Sequence, residues 1–289
     1  MRKYMKYEIK GTYKFILGIL LVVLIASTII QVSLQSDLQQ LDQSASFVNS
    51  AFGGLMLLTS ILVIFGAFLT AFFYIIGSFR KELYEDRGYL TFTLPLTGNQ
   101  ILGSKLLVSL LWYIVLGAGI IIYNMVLSLI LFGNEWTHIV KTILENINPA
   151  FISVGVVSIL STVVTLILIY FAIALSKVSI KNKKIGGIWF IVFIVLNMII
   201  TTITFKISTS LPYYLNLSDF TINHIYNIAT LAPGSSSGLV ILGNESNALM
   251  FMGSDLKPYL NVFGNLFQVL VVIGGFLGTG YLIEEKIDI

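Results

Sequence analysis

The sequence predicts an all-α polytopic membrane protein with six transmembrane helices and both termini in the cytoplasm. The class follows from composition, because 56% of the 289 residues are hydrophobic and only 11% are charged. Soluble domains carry about 25% charged residues. A soluble fold of this length could not bury so much apolar surface in one core, whereas a bilayer covers it. The positions of the uncharged segments and of the basic residues then predict the spans and their orientation.

Six long segments contain no Asp, Glu, Lys or Arg. Crossing about 30 Å of hydrocarbon takes about 20 helical residues, and each segment is long enough. They are Phe15–Ser36, Gln43–Phe79, Leu106–Asn134, Asn146–Ser176, Ile185–Phe205 and Pro258–Ile283. The second segment has a polar start, so we expect its helix to begin near Ala51. Asn148 followed by Pro149 is typical of a helix start, where proline lacks only an N–H that has no partner.

A seventh uncharged stretch, Phe220–Asn244, is too polar for a free-standing span. It contains Asn223, His224 and Asn227, followed by a Pro-Gly pair and three serines. Unsatisfied polar groups are costly in lipid. We therefore expect short outer helices here, between spans five and six, within an extracellular insert of residues 207–257.

Basic residues are retained on the cytoplasmic side of membrane proteins. With the N-terminus inside, fourteen of the seventeen lysines and arginines fall in inner segments, and only Lys141, Lys206 and Lys257 fall outside. Six spans then return the C-terminus to the cytoplasm. A seventh span would move Lys257 inside and Lys286 outside, which fits the rule less well. The first segment is longer than the apolar region of a secretory signal, so we expect a retained span.

Residues 1–14 are predicted to form an interfacial amphipathic helix before a single six-span domain, residues 15–289. Lys3, Lys6, Lys10 and Lys14 are spaced so that they share one helical stripe. Such a stripe would face anionic lipid headgroups, with nearby tyrosines at the membrane boundary. The alternative is an ordinary basic flank without fixed helical form.

The loop of residues 80–104, between spans two and three, combines charged and apolar side chains. We expect the second helix to extend through Glu85 or Asp86 and to break at Gly88. Thr97 and Gln100 match a capping box, in which each side chain bonds the other residue's backbone N–H, so the third helix should begin near Gly98. Apolar residues alternate between these ends: Leu90, Phe92, Leu94 and Leu96. Such a strip is typical of a docking surface, and the alternative is a loop tucked against its own helices.

This loop resembles that of the ABC-2 type permeases, the membrane subunits of ATP-binding-cassette transporters. The resemblance lies in Glu85–Leu90, in Thr93–Leu96, and in Gln100–Leu102 with Lys105 and Leu106. In that family the loop forms a coupling helix seated in a groove of the ATPase. The family also has six spans, a basic interfacial helix before the first, and outer helices between spans five and six. Gly98 and Asn99 depart from the family, where basic residues are common.

By this resemblance, one set of residues is expected to couple the chain to an ATPase: Glu82, Glu85, Asp86, Arg87, Leu90, Phe92, Leu94, Pro95 and Leu96. The resemblance implies an exporter subunit in a bacterial cell membrane, assembled with two ATPase subunits and a second permease subunit, identical or not. The phosphate-binding loop Gly-x-x-x-x-Gly-Lys-Ser/Thr is absent from the sequence. ATP-Mg should therefore be bound by the partner, and this chain is not expected to be an enzyme or to bind a cofactor.

Other functions are weighed against this one. Ion-coupled secondary transporters usually place ionisable residues within the membrane, whereas here such residues fall at span ends or in loops. A non-transporting structural or regulatory subunit is a further alternative.

The chain has no cysteine, and its histidines, His138 and His224, lie far apart, so no metal or thiol site is expected. A net charge of +3 is too small to suggest nucleic acid.

Hydroxyl and amide side chains give the fourth and fifth spans mildly polar faces. These residues are Ser153, Ser158, Ser161, Thr162 and Thr165 in the fourth span, and Asn197, Thr201, Thr202 and Thr204 in the fifth. One interpretation is a path for an amphiphilic or lipid-like molecule, and the other is helix packing through small residues. Drug, peptide, lipid and polysaccharide substrates are all compatible with these faces.

Overall fold

Within the residues that it describes, the computed structural model of the chain contains six long helices. It describes residues 2–39, 51–84, 96–132, 141, 149–179, 187–217, 219–224, 239–242, 248–251 and 257–286. Within them lie α1 (Arg2–Gln39), α2 (Ala51–Tyr84), α3 (Gly98–Phe132), α4 (Pro149–Ser179), α5 (Ile188–Ser210) and α6 (Val262–Tyr281), which continues as a π-helix, Leu282–Lys286. All six helices are long and apolar enough to cross a membrane. This confirms the prediction of a mainly helical, multi-pass membrane protein, while the side on which each terminus lies stays a prediction.

The outer surfaces of these helices are apolar. Leu62, Ile130 and Met198 are 58%, 69% and 70% exposed, and many other large apolar side chains are similarly exposed. In water such a continuous surface would be an aggregation site. Against lipid chains it is a compatible surface, as expected for helices that span a bilayer.

The predicted helix starts are confirmed. α2 begins at Ala51 and α4 at Pro149. At the start of α3, the backbone N–H of Gln100 donates to Thr97 Oγ1 at 3.3 Å, and the backbone N–H of Thr97 donates to Gln100 Oε1 at 3.3 Å. This reciprocal pair is the predicted capping box, which satisfies two backbone donors that lack helical partners.

Helix α1 is unbroken from Arg2 to Gln39. No helix end therefore separates the predicted interfacial segment, residues 1–14, from the first span. A helix of 38 residues is about 57 Å long, compared with about 30 Å of hydrocarbon. Its N-terminal part is thus long enough to project beyond the hydrocarbon, and its orientation in the interface stays a prediction.

The prediction of short outer helices between spans five and six is wrong for the described residues. This part of the chain instead forms five strands: β1 (Tyr213–Asn216), β2 (Ile222–His224), β3 (Leu239–Leu242), β4 (Ala248–Phe251) and β5 (Lys257–Asn261). The strands pair antiparallel in the order β2-β1-β5-β4-β3. Short runs rich in aromatic and β-branched residues suit strands, and pairing satisfies backbone groups that short helices leave open.

The chain folds as two units. The first comprises Met1–Glu82 and Gly103–Ile143. Its apolar core lies between α1, α2 and α3. The core residues are Ile16, Ile19, Val23, Ala71, Ile75, Val108, Trp112 and Leu116.

The second unit comprises Leu83–Leu102 and Leu144–Ile289. Its most buried helix is α4, which is buried continuously from Leu166 to Tyr170. Helix α6 approaches α4 through glycine, because a Cβ on Gly275 would lie 2.6 Å from Ile167 Cγ2. The sheet connects the end of α5 to the start of α6, where the Asn261 side chain accepts the Gly264 N–H at 2.7 Å.

Candidate functional site

A buried ionic cluster joins α1, α2 and α3 within the first unit. At its centre is Lys105 of α3, which is only 3% exposed. Its Nζ lies 2.7 Å from Glu8 Oε1 on α1, and 3.1 Å from Glu82 Oε1 and 3.0 Å from Ser78 Oγ on α2. An ammonium group has three N–H donors, and these three oxygens match them. Lys105 therefore ties three helices together through one group.

Two hydroxyl groups complete the cluster. Tyr4 Oη donates to both carboxylate oxygens of Glu82 at 2.9 Å, and Ser78 Oγ donates to Glu8 Oε1 at 2.7 Å. The carboxylate side chains of Glu8 and Glu82 are 13% and 14% exposed. Hydrogen bonds to ionised groups are stronger than those between neutral groups. The cluster thus contains two carboxylates, one ammonium and two hydroxyl donors in a largely buried site.

The N-terminal part of α1 has two distinct faces. Tyr4, Glu8, Thr12 and Ile16 follow at four-residue intervals, so they share the face that docks against α2 and α3. Thr12 accepts the Trp112 indole N–H at 2.9 Å. The lysines of the predicted stripe are all exposed: Lys3, Lys6, Lys10 and Lys14. Contact between this exposed stripe and lipid headgroups stays a prediction.

The two ends of the loop between α2 and α3 pack within the second unit. At the end of α2, Tyr84 Oη donates to the Ile173 carbonyl at 3.5 Å, and Lys177 Nζ lies 5.0 Å from the tyrosine ring centroid. This distance suits a cation–π contact. At the start of α3, a Cβ on Gly98 would lie 2.5 Å from the Gly280 carbonyl oxygen. Only glycine fits there, so α3 begins in close backbone contact with α6.

The structure describes two of the nine residues predicted to couple the chain to an ATPase. Glu82 lies inside the buried cluster, and Leu96 is half-buried immediately before α3. Seven lie outside the described residues: Glu85, Asp86, Arg87, Leu90, Phe92, Leu94 and Pro95. The predicted loop therefore lies between two described helix ends, and its own contacts stay a prediction.

Sequence reasoning missed the roles of Tyr4, Glu8 and Ser78, and it used Lys105 only in the count of inner basic residues and in the family resemblance. One signal was present, since Tyr4, Glu8 and Thr12 repeat every four residues on a face distinct from the lysine stripe. Lys105 also directly precedes a long uncharged segment. A charged residue at that place is expected to have a partner, because isolated charges are costly at the membrane.

Four threonine hydroxyls of α4 and α5 bond within their own helices. Thr162 and Thr165 donate to carbonyl oxygens one turn earlier in α4, at 2.8 Å each. Thr202 and Thr204 do the same in α5, also at 2.8 Å. Their donors are thus satisfied without another helix, which is common for hydroxyl residues in helices.

Comparison with known proteins finds no matching family model, no matching curated protein and no matching solved structure. Across the described ranges, no group of three His, Asp or Glu side chains could hold a metal ion.

Proposed function

We propose that this chain is the membrane permease subunit of an ABC exporter, coupled to a separate ATPase through the loop of residues 80–104. The observation that carries the proposal is that the end of α2 and the start of α3, at the two ends of this loop, are both firmly attached. Glu82 is held in the buried ionic cluster, and Gly98 is held against Gly280. If a partner pushes on a loop whose two ends are anchored to helices, the helices are displaced. If the loop is a flexible connector, the loop alone changes conformation and the helices stay in place.

The loop sequence suits a docking role. Leu90, Phe92, Leu94 and Leu96 alternate with other residues, and burying one such side chain in a partner's groove contributes about 1.5–3 kcal/mol. Pro95 fixes its own φ near about −65° and biases Leu94 away from helix, which favours one shape for the strip. Glu85, Asp86 and Arg87 would lie at the rim, where charge pairs mainly tune the rate of association.

The proposed assembly contains two ATPase subunits and a second permease subunit in the cell membrane of a bacterium. ATP-Mg is bound by the ATPase subunits, since this sequence has no phosphate-binding loop. The six apolar helices supply the membrane path. The exposed lysine stripe of α1 supports attachment to the anionic inner leaflet.

The ionic cluster also favours a second candidate, an ion-coupled secondary transporter. Ionisable residues in membrane helices commonly mark ion pathways. Glu8 and Glu82 place two carboxylates around a single ammonium, and an excess carboxylate is a group to which a cation or proton can bind. The two candidates differ in their energy source, because only the first needs a partner that hydrolyses ATP.

Co-expression with an ATPase encoded next to this chain tests the proposal. Purified alone, the chain should not hydrolyse ATP. Purified together, the two proteins should form a complex with two nucleotide-binding subunits, as measured by native mass spectrometry, and its ATPase rate should differ from that of the free ATPase. An ATPase variant lacking its phosphate-loop lysine is the control for hydrolysis. Intrinsic ATP hydrolysis by the isolated chain, or failure of the complex to form, contradicts the proposal.

A further inference from the structure

We propose that Lys105 is a positioning residue that makes the N-terminal part of α1 move together with the loop-bearing ends of α2 and α3. This inference rests on the proposed function and extends it, because it gives α1 a role in coupling in addition to membrane attachment. The ATPase would then act on three helices and not only on the two that carry the loop.

The cluster connects all three helices of the first unit to one ammonium group. Within the cluster, α1 reaches α2 through Tyr4 to Glu82 at 2.9 Å and through Glu8 to Ser78 at 2.7 Å. Both Glu8 and Glu82 contact the same Lys105 Nζ. A displacement at the end of α2 moves Glu82, and it therefore alters the contact of Tyr4 on α1 and the contact of Lys105 on α3 at the same time.

The buried charge of Lys105 makes separation of the three helices costly. Apolar helix faces part easily in a bilayer, because lipid chains replace the lost contacts with others of the same kind. A buried charge has no such replacement, and removing its partner is strongly destabilising. Lys105 is 3% exposed, so moving α1 alone would leave this ammonium without one of its carboxylates. The cluster thus favours joint movement over sliding.

The cluster includes residues on both sides of the apolar strip in the loop. Glu82 lies shortly before the loop strip of Leu90 to Leu96, and Lys105 lies shortly after the capped start of α3. Glu8 and Lys105 are 97 residues apart in sequence. Tyr4 and Glu82 are also 78 residues apart in sequence, so local transmission from the loop to the N-terminal part of α1 passes through contacts between the helices.

The experiment uses the complete complex with its ATPase, and the lack of cysteine allows spin labels to be placed without background. One pair of labels at positions 90 and 281 reports movement of the loop relative to α6. A second pair at positions 10 and 281 reports movement of α1 relative to the same helix. Lys10 and Tyr281 are both exposed, so labels there avoid the core. Distances are measured by pulsed electron paramagnetic resonance with and without a non-hydrolysable ATP analogue.

In the wild-type complex, both distances should change with nucleotide. In Lys105→Met, the change at position 90 should persist and the change at position 10 should be lost. Lys206→Met is the matched control, because it removes an exposed lysine of α5 outside the cluster and should leave both changes intact. A purely structural role of Lys105 would weaken both changes together or neither.

A milder variant keeps the test decisive if Lys105→Met fails to fold. Glu8→Gln leaves Lys105 paired with Glu82 but removes the carboxylate of α1, so it should reduce the change at position 10 and keep the change at position 90. An undiminished change at position 10 in Glu8→Gln would contradict the inference. If position 10 responds to nucleotide equally in wild type and in Lys105→Met, the inference is wrong while the proposed function stands. If the complex does not form, or if neither position responds in wild type, the proposed function itself fails.

Discussion

Trp112 of α3 donates its indole N–H to the hydroxyl of Thr12 on α1 at 2.9 Å. Both side chains are buried, with 6% and 7% exposure. The Thr12 hydroxyl in turn donates to the Glu8 carbonyl oxygen at 2.9 Å. The bond between Trp112 and Thr12 adds a polar contact between α1 and α3 beyond the Lys105 cluster. The two helices are therefore joined at successive turns of α1.

Thr12→Val should destabilise the protein, because it keeps the side-chain shape but leaves the Trp112 N–H without its acceptor. A buried donor without a partner costs about 1–3 kcal/mol. Thermal unfolding in detergent or nanodiscs measures the effect as a lower midpoint. Thr28→Val is the matched control on the same helix, since the Thr28 hydroxyl donates only one turn back, to the Ile25 carbonyl. Equal losses in both variants would show that the bond to Trp112 contributes nothing specific.

Glu8 and Glu82 should prove partly redundant for stability. In Glu8→Gln or Glu82→Gln, Lys105 keeps one carboxylate, whereas the double variant leaves the buried ammonium with none. Removing the partner of a buried charge costs about 3–5 kcal/mol. The double variant should therefore lose more free energy of unfolding than the two single losses added together. The exposed pair Glu284→Gln/Glu285→Gln should change stability little, and strict additivity at Glu8 and Glu82 would count against a shared partner.

Gly98→Ala should disturb the docking of α3 on α6, because the new Cβ would lie 2.5 Å from the Gly280 carbonyl oxygen. Overpacking of this kind costs about 1–3 kcal/mol. Gly117→Ala on the same helix meets nothing within 4 Å and should stabilise slightly, since alanine favours helix over glycine by about 1 kcal/mol. Thermal unfolding of the two variants should move in opposite directions. Similar shifts would mean that the backbone contact at Gly98 is not tight.

The distribution of basic residues predicts which loops are accessible from outside the cell. Single cysteines at positions 40, 140 and 245 should react with a membrane-impermeant thiol reagent in intact cells, and those at 90 and 182 should not. The same five positions should all react in opened membranes, which controls for burial. Labelling of position 182 in intact cells would refute the six-span orientation.

The membrane helices could be predicted because long uncharged segments and helix-start residues are local signals. Thr97 with Gln100, and Pro149, marked their helix starts correctly. The sheet could not be predicted in the same way, because its strands pair across long sequence separations, such as Asn216 with Tyr259. Within an uncharged stretch, short apolar runs such as Leu239–Leu242 fit either a helix or a strand.

The ionic cluster was beyond sequence reasoning for a related reason. The sequence shows a lysine at the start of a span, but not that Glu8 and Glu82 meet it. The basic residues near span ends were used to predict orientation, and Glu82 was assigned to coupling with an ATPase. Packing of α1 against α2 and α3 brings Glu8, Glu82 and Lys105 into a buried contact.

The central claim is that the loop of residues 80–104 couples this chain to an ATPase, and Leu94→Asp tests it most directly. The measurement is the ATPase rate and composition of the co-purified complex, with Leu94→Met as the control that keeps an apolar side chain. The complex should form with wild type and Leu94→Met. Leu94→Asp should lose the ATPase or return its rate to that of the free enzyme, with an unchanged thermal midpoint for the isolated chain. If Leu94→Asp keeps both the complex and the altered ATPase rate, the loop is a plain connector and the account is wrong.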